Sequence, residues 1–245
     1  MANAHEILLG GLLHDVGKFM QRAVPPGQAL PDRTERMRQY VCPTDPRSGR
    51  FTHEHALWTQ AFFDMVAVRW PSGVDAATVA SLARAHHRPS SVEEVIVQQA
   101  DCLSAGQDRP GSDGDTPVPA GGLRSTPLLS VFESLAEGGR GRRSFAHPMA
   151  PLGEDLAATF PVPQEESGQK LTPSYAELLA GFIKVTESLQ AETPDVLVAA
   201  MTTALYRFTW CLPASTIDLP DVSLYDHLKS TAALAACLHS ACMER

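Results

Sequence analysis

The sequence predicts an all-α protein on three observations. Apolar residues recur at helical spacing over seven long segments, no run alternates apolar and polar residues as a half-buried strand would, and Pro- and Gly-rich stretches separate the periodic segments. The segments cover about 3–22, 54–70, 75–87, 92–106, 173–190, 194–210 and 223–242.

In the first segment Ile7, Leu8, Leu12 and Leu13 mark one face, and Gly10-Gly11 allow another helix to approach closely. The face ends on His14-Asp15-Val16-Gly17-Lys18. A polar pair there sits against the core, and a buried carboxylate needs a partner or a metal. The same pair also fits a plain helix end, with Gly17 as its C-terminal stop. Residues 25–50, rich in proline and charge, read as a mobile excursion. The second segment is opened by Thr52-His53-Glu54-His55, the third closes on His86-His87, and the fourth carries Asp101. Residues 107–124 (QDRPGSDGDTPVPAGGLR) have no periodicity and read as a second mobile loop. A third break, 138–172, holds Arg140, Arg142 and Arg143 and then prolines, after which helices resume and His227 follows Asp226.

At 245 residues, 44% of them hydrophobic, the chain suffices for one large domain with or without an appendage. No stretch approaches the roughly 18 uncharged apolar residues of a membrane span, and the N-terminus lacks a signal-peptide pattern, so no membrane association and a cytoplasmic location are expected. Five cysteines, Cys42, Cys102, Cys211, Cys237 and Cys242, are scattered and never spaced CxxC, which supports neither a disulfide framework nor a zinc ribbon. A net charge of −8 argues against autonomous high-affinity binding to nucleic acid, so any grip on such a substrate must be local or supplied by partners. No internal repeat is visible.

His14-Asp15, His53 and His55, His86-His87, Asp101 and His227 form an ordered series of nitrogen and oxygen ligands, each tethered to a helix. Imidazole suits Mn, Fe, Co, Ni and Zn, and a carboxylate can bridge two ions, the mixture a two-metal phosphodiesterase uses. Each element has a plainer use: His53 or His55 opening a helix, Asp101 pairing with Arg109, His87 solvated at a helix C-terminus.

With these residues in place the sequence resembles the HD phosphohydrolase superfamily. Its isolated leading histidine is not at the start, since His5 lies on the same helix as His14. The segment Asp226-His227-Leu228-Lys229-Ser230-Thr231-Ala232 resembles that first helix instead, so the order reads as a circularly permuted HD-domain helical bundle with additional helices. This permuted order resembles the N-terminal part of the large subunit of type III CRISPR effector complexes, the III-A (Csm) kind. GGLLHDVGKFMQRA, ARAHH, QADCLSAGQDR, TPLLSVFESL and TWCLPASTIDLPDVSLYDHLKSTAALAACL carry the likeness.

The resemblance implies a metal-dependent nuclease acting on single-stranded DNA, with crRNA-guided complex subunits and the remainder of the large subunit as partners. It divides the chain into an HD core over 1–110, an irregular linker with a short helix over 111–172, and helices completing the fold over 173–245. The implied cofactor is one or two divalent transition ions, manganese first, with nickel, cobalt or iron as alternatives. One ion is expected at His14, Asp15, Asp101 and His227, and a second at Asp15, His55, His86 and His87, with Asp15 bridging; His53 has no counterpart. Lys18 is expected to contact a phosphate oxygen, with Arg84 or Arg88 as weaker options. Arg140, Arg142 and Arg143 are candidates to track a DNA backbone. The palm-type domains of such subunits, including the one that makes cyclic oligoadenylates, have no counterpart in the sequence, so the likeness carries no ATP binding. Two other readings of the same residues are an HD-type nucleotide phosphohydrolase and a non-catalytic scaffold that docks to complex subunits.

Overall fold

A short helix buried on nearly all sides, α1 (Ala4–Leu13), lies at the centre of the chain's packing. Ile7, Leu9, Leu12 and Leu13 are fully or almost fully buried, which is why this helix lacks the polar face of a surface helix. Its N-terminus is fixed by a capping box in which the Asn3 side chain accepts from the His5 and Glu6 amides and Glu6 accepts from the Asn3 amide. The computed structural model describes residues 2–25, 27–108, 122–134, 145–153, 159–163, 171–216 and 220–244.

After α1 come α2 (Val16–Ala23), two short helices α3 (Asp32–Glu35) and α4 (Arg38–Val41), then α5 (His55–Met65), α6 (Ala76–Arg84) and α7 (Val92–Asp108). A one-turn α8 (Val131–Ser134) and a two-residue antiparallel pair, β1 (Phe145–Ala146) with β2 (Val162–Pro163), precede α9 (Leu171–Ser188), α10 (Pro194–Thr209) and α11 (Leu224–Met243). The expected all-α architecture is what forms. No helix among the described residues is long and apolar enough to cross a membrane.

The last helix packs on the first. A Cβ on Gly11 would lie 2.9 Å from the Ala232 Cα of α11, so the two backbones approach as only glycine permits. On the neighbouring side Gly10 faces Leu82 of α6. Helix α11 also packs along α7, and α2 packs on α5 and α9. One core joins Leu9, Leu12, Val16 and Phe19 to Phe62, Phe182, Phe208 and Leu228. A smaller one joins Ile7, Leu82, Ile96, Val97, Ala100 and Ala235.

Three expectations change. The segment 3–22 is two helices, broken at His14-Asp15, and Gly17 lies inside the second rather than stopping the first. Residues 25–50 are not merely a loop: α3 and α4 form there, with Arg33 paired to Asp64, Arg38 paired to Glu54, and Arg88 donating to the Gln39 carbonyl of α4. The small β pair was not anticipated. Most of 107–124, and Arg140, Arg142 and Arg143 with it in the next break, lie outside the described residues, but Arg124 donates to the Gln21 and Val24 carbonyls and closes the end of α2.

Candidate metal centre

The break between α1 and α2 builds the site. His14 is the C-terminal cap of α1 and Asp15 the N-cap of α2, with φ −107° and ψ 13°, yet Asp15 makes no capping hydrogen bond. Its carboxylate turns inward instead, where it is 1% exposed. Helix α5 brings His55 to it at its first residue, the turn after α6 brings His86 and His87, α7 brings Asp101, and α11 brings His227 one turn from its start.

Asp15 lies at the middle. Its Oδ2 is 3.4 Å from His14 Nε2, 3.3 Å from His227 Nε2 and 2.5 Å from Lys18 Nζ, and its Oδ1 is 3.3 Å from His55 Nε2 and 3.6 Å from His86 Nε2. Asp101 Oδ1 lies 3.5 Å from His14 Nε2 and 3.1 Å from His227 Nε2. His55 and His87 meet Nε2 to Nε2 at 2.8 Å. The ligand atoms form two sets, His14 with Asp15, Asp101 and His227, and His55 with His86 and His87, each set mutually within 4.8 Å.

The outer ring nitrogens explain why the inner ones converge. His14 Nδ1 is 2.7 Å from the Gly11 carbonyl and His86 Nδ1 is 2.7 Å from the Ala83 carbonyl, so in each ring Nδ1 is the donor and Nε2 is the nitrogen that faces inward. His227 Nδ1 is 3.0 Å from Ser104 Oγ. Such outer partners fix tautomer and ring plane around metals. Below the site, Gly17 N–H donates to Thr59 Oγ1 at 3.1 Å and Thr59 Oγ1–H donates to the His14 carbonyl at 2.7 Å, stitching the helix break to α5.

Sequence reasoning missed Ser104 and Thr59. Their only signal was spacing: Ser104 lies three residues beyond Asp101, and Thr59 four beyond His55, on the ligand-bearing faces.

The electrostatics are those of a site short of positive charge at its carboxylates. Burial works against charging His14, but Asp15 and Asp101 outweigh it and lift the imidazole to about 10. Burial likewise opposes ionising Asp15 and Asp101, yet Lys18 and the imidazoles hold Asp15 well below the usual carboxylate range and His14 and His227 do so for Asp101. Burial pushes His86 down to about 4, and also lowers His55 and His87. Asp15 Oδ1 and His86 Nε2 are buried without a hydrogen-bond partner among the described residues. An orphaned carboxylate oxygen beside an orphaned imidazole nitrogen costs free energy that a coordinated cation would offset. The donor set, imidazole nitrogens around a shared carboxylate, fits a divalent transition ion.

The other expected cations lie differently. Lys18 is at the rim, ion-paired to Asp15. Arg84 donates to Gln60 Oε1 at 2.7 Å in the α5–α6 contact, and Arg88 is tied to the Gln39 carbonyl.

No family model matches the chain. Its sequence is 26% identical to the CRISPR system single-strand-specific deoxyribonuclease Cas10/Csm1 (subtype III-A) of Methanocaldococcus jannaschii, covering 98% of this chain and 29% of the relative. It is 27% identical to the protein of the same name from Mycobacterium tuberculosis, covering 95% and 28%. In fold it matches a chain of a Csm1–Csm4 cassette in complex with cA4, with a TM-score of 0.54 at 22% identity over 98% of this chain and 28% of that one. It also matches Csm1 in T. onnurineus, with a TM-score of 0.51 at 20% identity over 98% and 29%. Over nearly its whole length the chain is thus similar, in sequence and in fold, to under a third of Cas10/Csm1, the single-strand-specific deoxyribonuclease of subtype III-A CRISPR systems.

Proposed function

We propose that this chain is a metal-dependent nuclease module of the HD phosphohydrolase type that hydrolyses phosphodiester bonds of single-stranded DNA. It works within a type III-A effector complex, with the palm-bearing remainder of a large subunit, a Csm4-type subunit and the crRNA-guided assembly as partners. Residues 1–110 and 173–245 together make the HD unit. One observation carries the reading: five imidazoles and the Asp101 carboxylate, from five separate segments, gather around Asp15, with the outer nitrogens of His14 and His86 bound to backbone carbonyls and their inner ones facing the cluster.

His14, Asp15, Asp101 and His227 would hold one ion, and Asp15 with His55, His86 and His87 a second, manganese being the first choice. The chemistry such ions supply is Lewis-acid polarisation of a phosphoryl oxygen and acidification of water towards neutral pH. The chain's own groups bind and orient. Lys18, its side chain 23% exposed, exchanges its pairing with Asp15 for a non-bridging phosphate oxygen. The Gly11 and Ala83 carbonyls and Ser104 keep the imidazoles from rotating. The apolar packing of Leu12, Val16 and Trp58 behind the cluster keeps bulk water from its rear.

The test is cleavage of a fluorescent single-stranded oligonucleotide by the purified chain in Mn²⁺, compared with duplex DNA, free nucleotides and the H14A/D15A variant. Single-strand cutting that falls at least a thousandfold in the variant is expected. Equal cutting by the double variant, or hydrolysis confined to free nucleotides, would overturn the reading.

A further inference from the structure

One segment at the edge of the site concentrates arginine, although the chain as a whole is acidic. Residues 32–53 carry five of its arginines: Arg33, Arg36, Arg38, Arg47 and Arg50. Arg33 pairs with Asp64, and Arg38 with Glu35 and Glu54, which fastens the segment to α5. Arg36, Arg47 and Arg50 are exposed and have no ion pair among the described residues. Two aromatic rings stand out beside them, Tyr40 62% exposed and Phe51 40% exposed, in a segment anchored on buried Val41 and Cys42.

The segment is shaped, not loose. A bridge between Thr44 and Phe51 closes a hairpin, with the Arg47 and Ser48 amides donating to Asp45 Oδ1 at its turn. It ends at His53, whose φ of 55° is the only positive value at a non-glycine residue among those described. That backbone setting, uncommon for a side chain with a Cβ, places the His53 ring 4.1 Å, centroid to centroid, from that of His87 at the edge of the cluster. Phe51 is two residues away, so its Cα lies within about 7 Å of that of His53. Cations that track a phosphate backbone, flanked by aromatics on which bases stack, are the recurring means of holding a single strand.

We propose that residues 32–53 form the track along which single-stranded DNA lies as it enters the cluster. Arg36, Arg47 and Arg50 contact backbone phosphates, Tyr40 and Phe51 stack bases, and His53 marks the inner end. This rests on the proposed nuclease reading and adds to it where the strand lies. It also resolves a tension in the sequence: a chain of net charge −8 repels DNA except where unpaired cations are concentrated.

The experiment is fluorescence anisotropy of a labelled 20-nucleotide oligothymidylate with the full chain in EDTA, repeated from low to moderate salt. Cleavage of the same strand in Mn²⁺ is measured in parallel. For R36Q/R47Q/R50Q the slope of log K against log salt should shrink by about 2, since each single-strand phosphate contact contributes roughly 0.7. F51A should weaken binding about tenfold or more with little change in slope. Both variants should keep the wild-type melting temperature. An unchanged slope in the triple variant overturns the track. So does preferential binding of oligouridylate that the variants lose while DNA binding stays. If instead the wild type binds the strand with the expected slope but never cleaves it, the nuclease reading falls while the track stands.

Discussion

Gly17→Ala sets two physical effects against each other at one atom. Gly17 is the second residue of α2 and has no positive φ, so alanine should favour the helix by about 0.8–1 kcal/mol. A Cβ there, however, would lie 1.9 Å from the His55 carbonyl oxygen, 2.4 Å from the Thr59 amide nitrogen and 2.7 Å from Thr59 Oγ1. Two of these are backbone atoms of α5, so relief requires α5 to back away from α2 by about 1 Å or more, a strain that typically costs 1–3 kcal/mol. The Gly17 N–H to Thr59 Oγ1 bond stretches with it, a further loss of about 1 kcal/mol. The balance is a destabilisation of about 1–3 kcal/mol. The same movement draws His55 from Asp15, whereas metal-ligand distances tolerate only about 0.2 Å. Urea unfolding of the metal-free protein reads the first effect, and Mn²⁺ titration by electron paramagnetic resonance reads the second, with affinity expected to fall at least tenfold. A variant more stable than wild type with unchanged Mn²⁺ affinity would show that α5 yields to the added methyl without disturbing His55.

Ser104→Ala removes the partner of His227 Nδ1 from a position 2% exposed and should weaken metal affinity by about 10–100-fold with little change in helix content, measured by calorimetric titration; an unaltered isotherm would show that His227 is oriented by packing alone. His53→Gly relieves a positive φ and should raise stability by roughly 0.5–1 kcal/mol in urea unfolding; a loss instead would mean the ring contact with His87 is worth more than the strain. Burial pushes the Cys42 thiol up to about 11 and that of Cys211 up to about 12. Both therefore stay protonated far above neutral pH, so at pH 8 a thiol reagent followed by mass spectrometry should modify exposed Cys237 and Cys242 well before either, and early labelling of Cys211 would contradict its burial.

The helices were legible because each long one carries its own apolar period, so local pattern sufficed. The break at His14-Asp15 was not, since Leu12, Val16 and Phe19 all enter one core and the apolar pattern runs through the bend. The inward turn of the Asp15 carboxylate at the break leaves no periodic trace. Residues 25–50 failed for a different reason. Their order comes from ties to distant residues, Arg33 to Asp64 and Arg88 to Gln39, whereas their composition alone signals a loop. The gathering of His14 with His227, 213 residues apart in sequence, was visible only through the family resemblance, because no local rule brings the last helix to the first. Ser104 and Thr59 escaped because a lone hydroxyl on a helix is ordinary until its partner is known.

In the proposed centre Asp15 is shared between two ion sites. An anomalous difference map from a crystal of this chain soaked in Mn²⁺ tests it most directly. Two peaks are expected, one among His14, Asp15, Asp101 and His227 and one among His55, His86, His87 and Asp15, each about 2.0–2.2 Å from its imidazole nitrogens and carboxylate oxygens. Peaks that avoid Asp15, or none at saturating Mn²⁺, would contradict it.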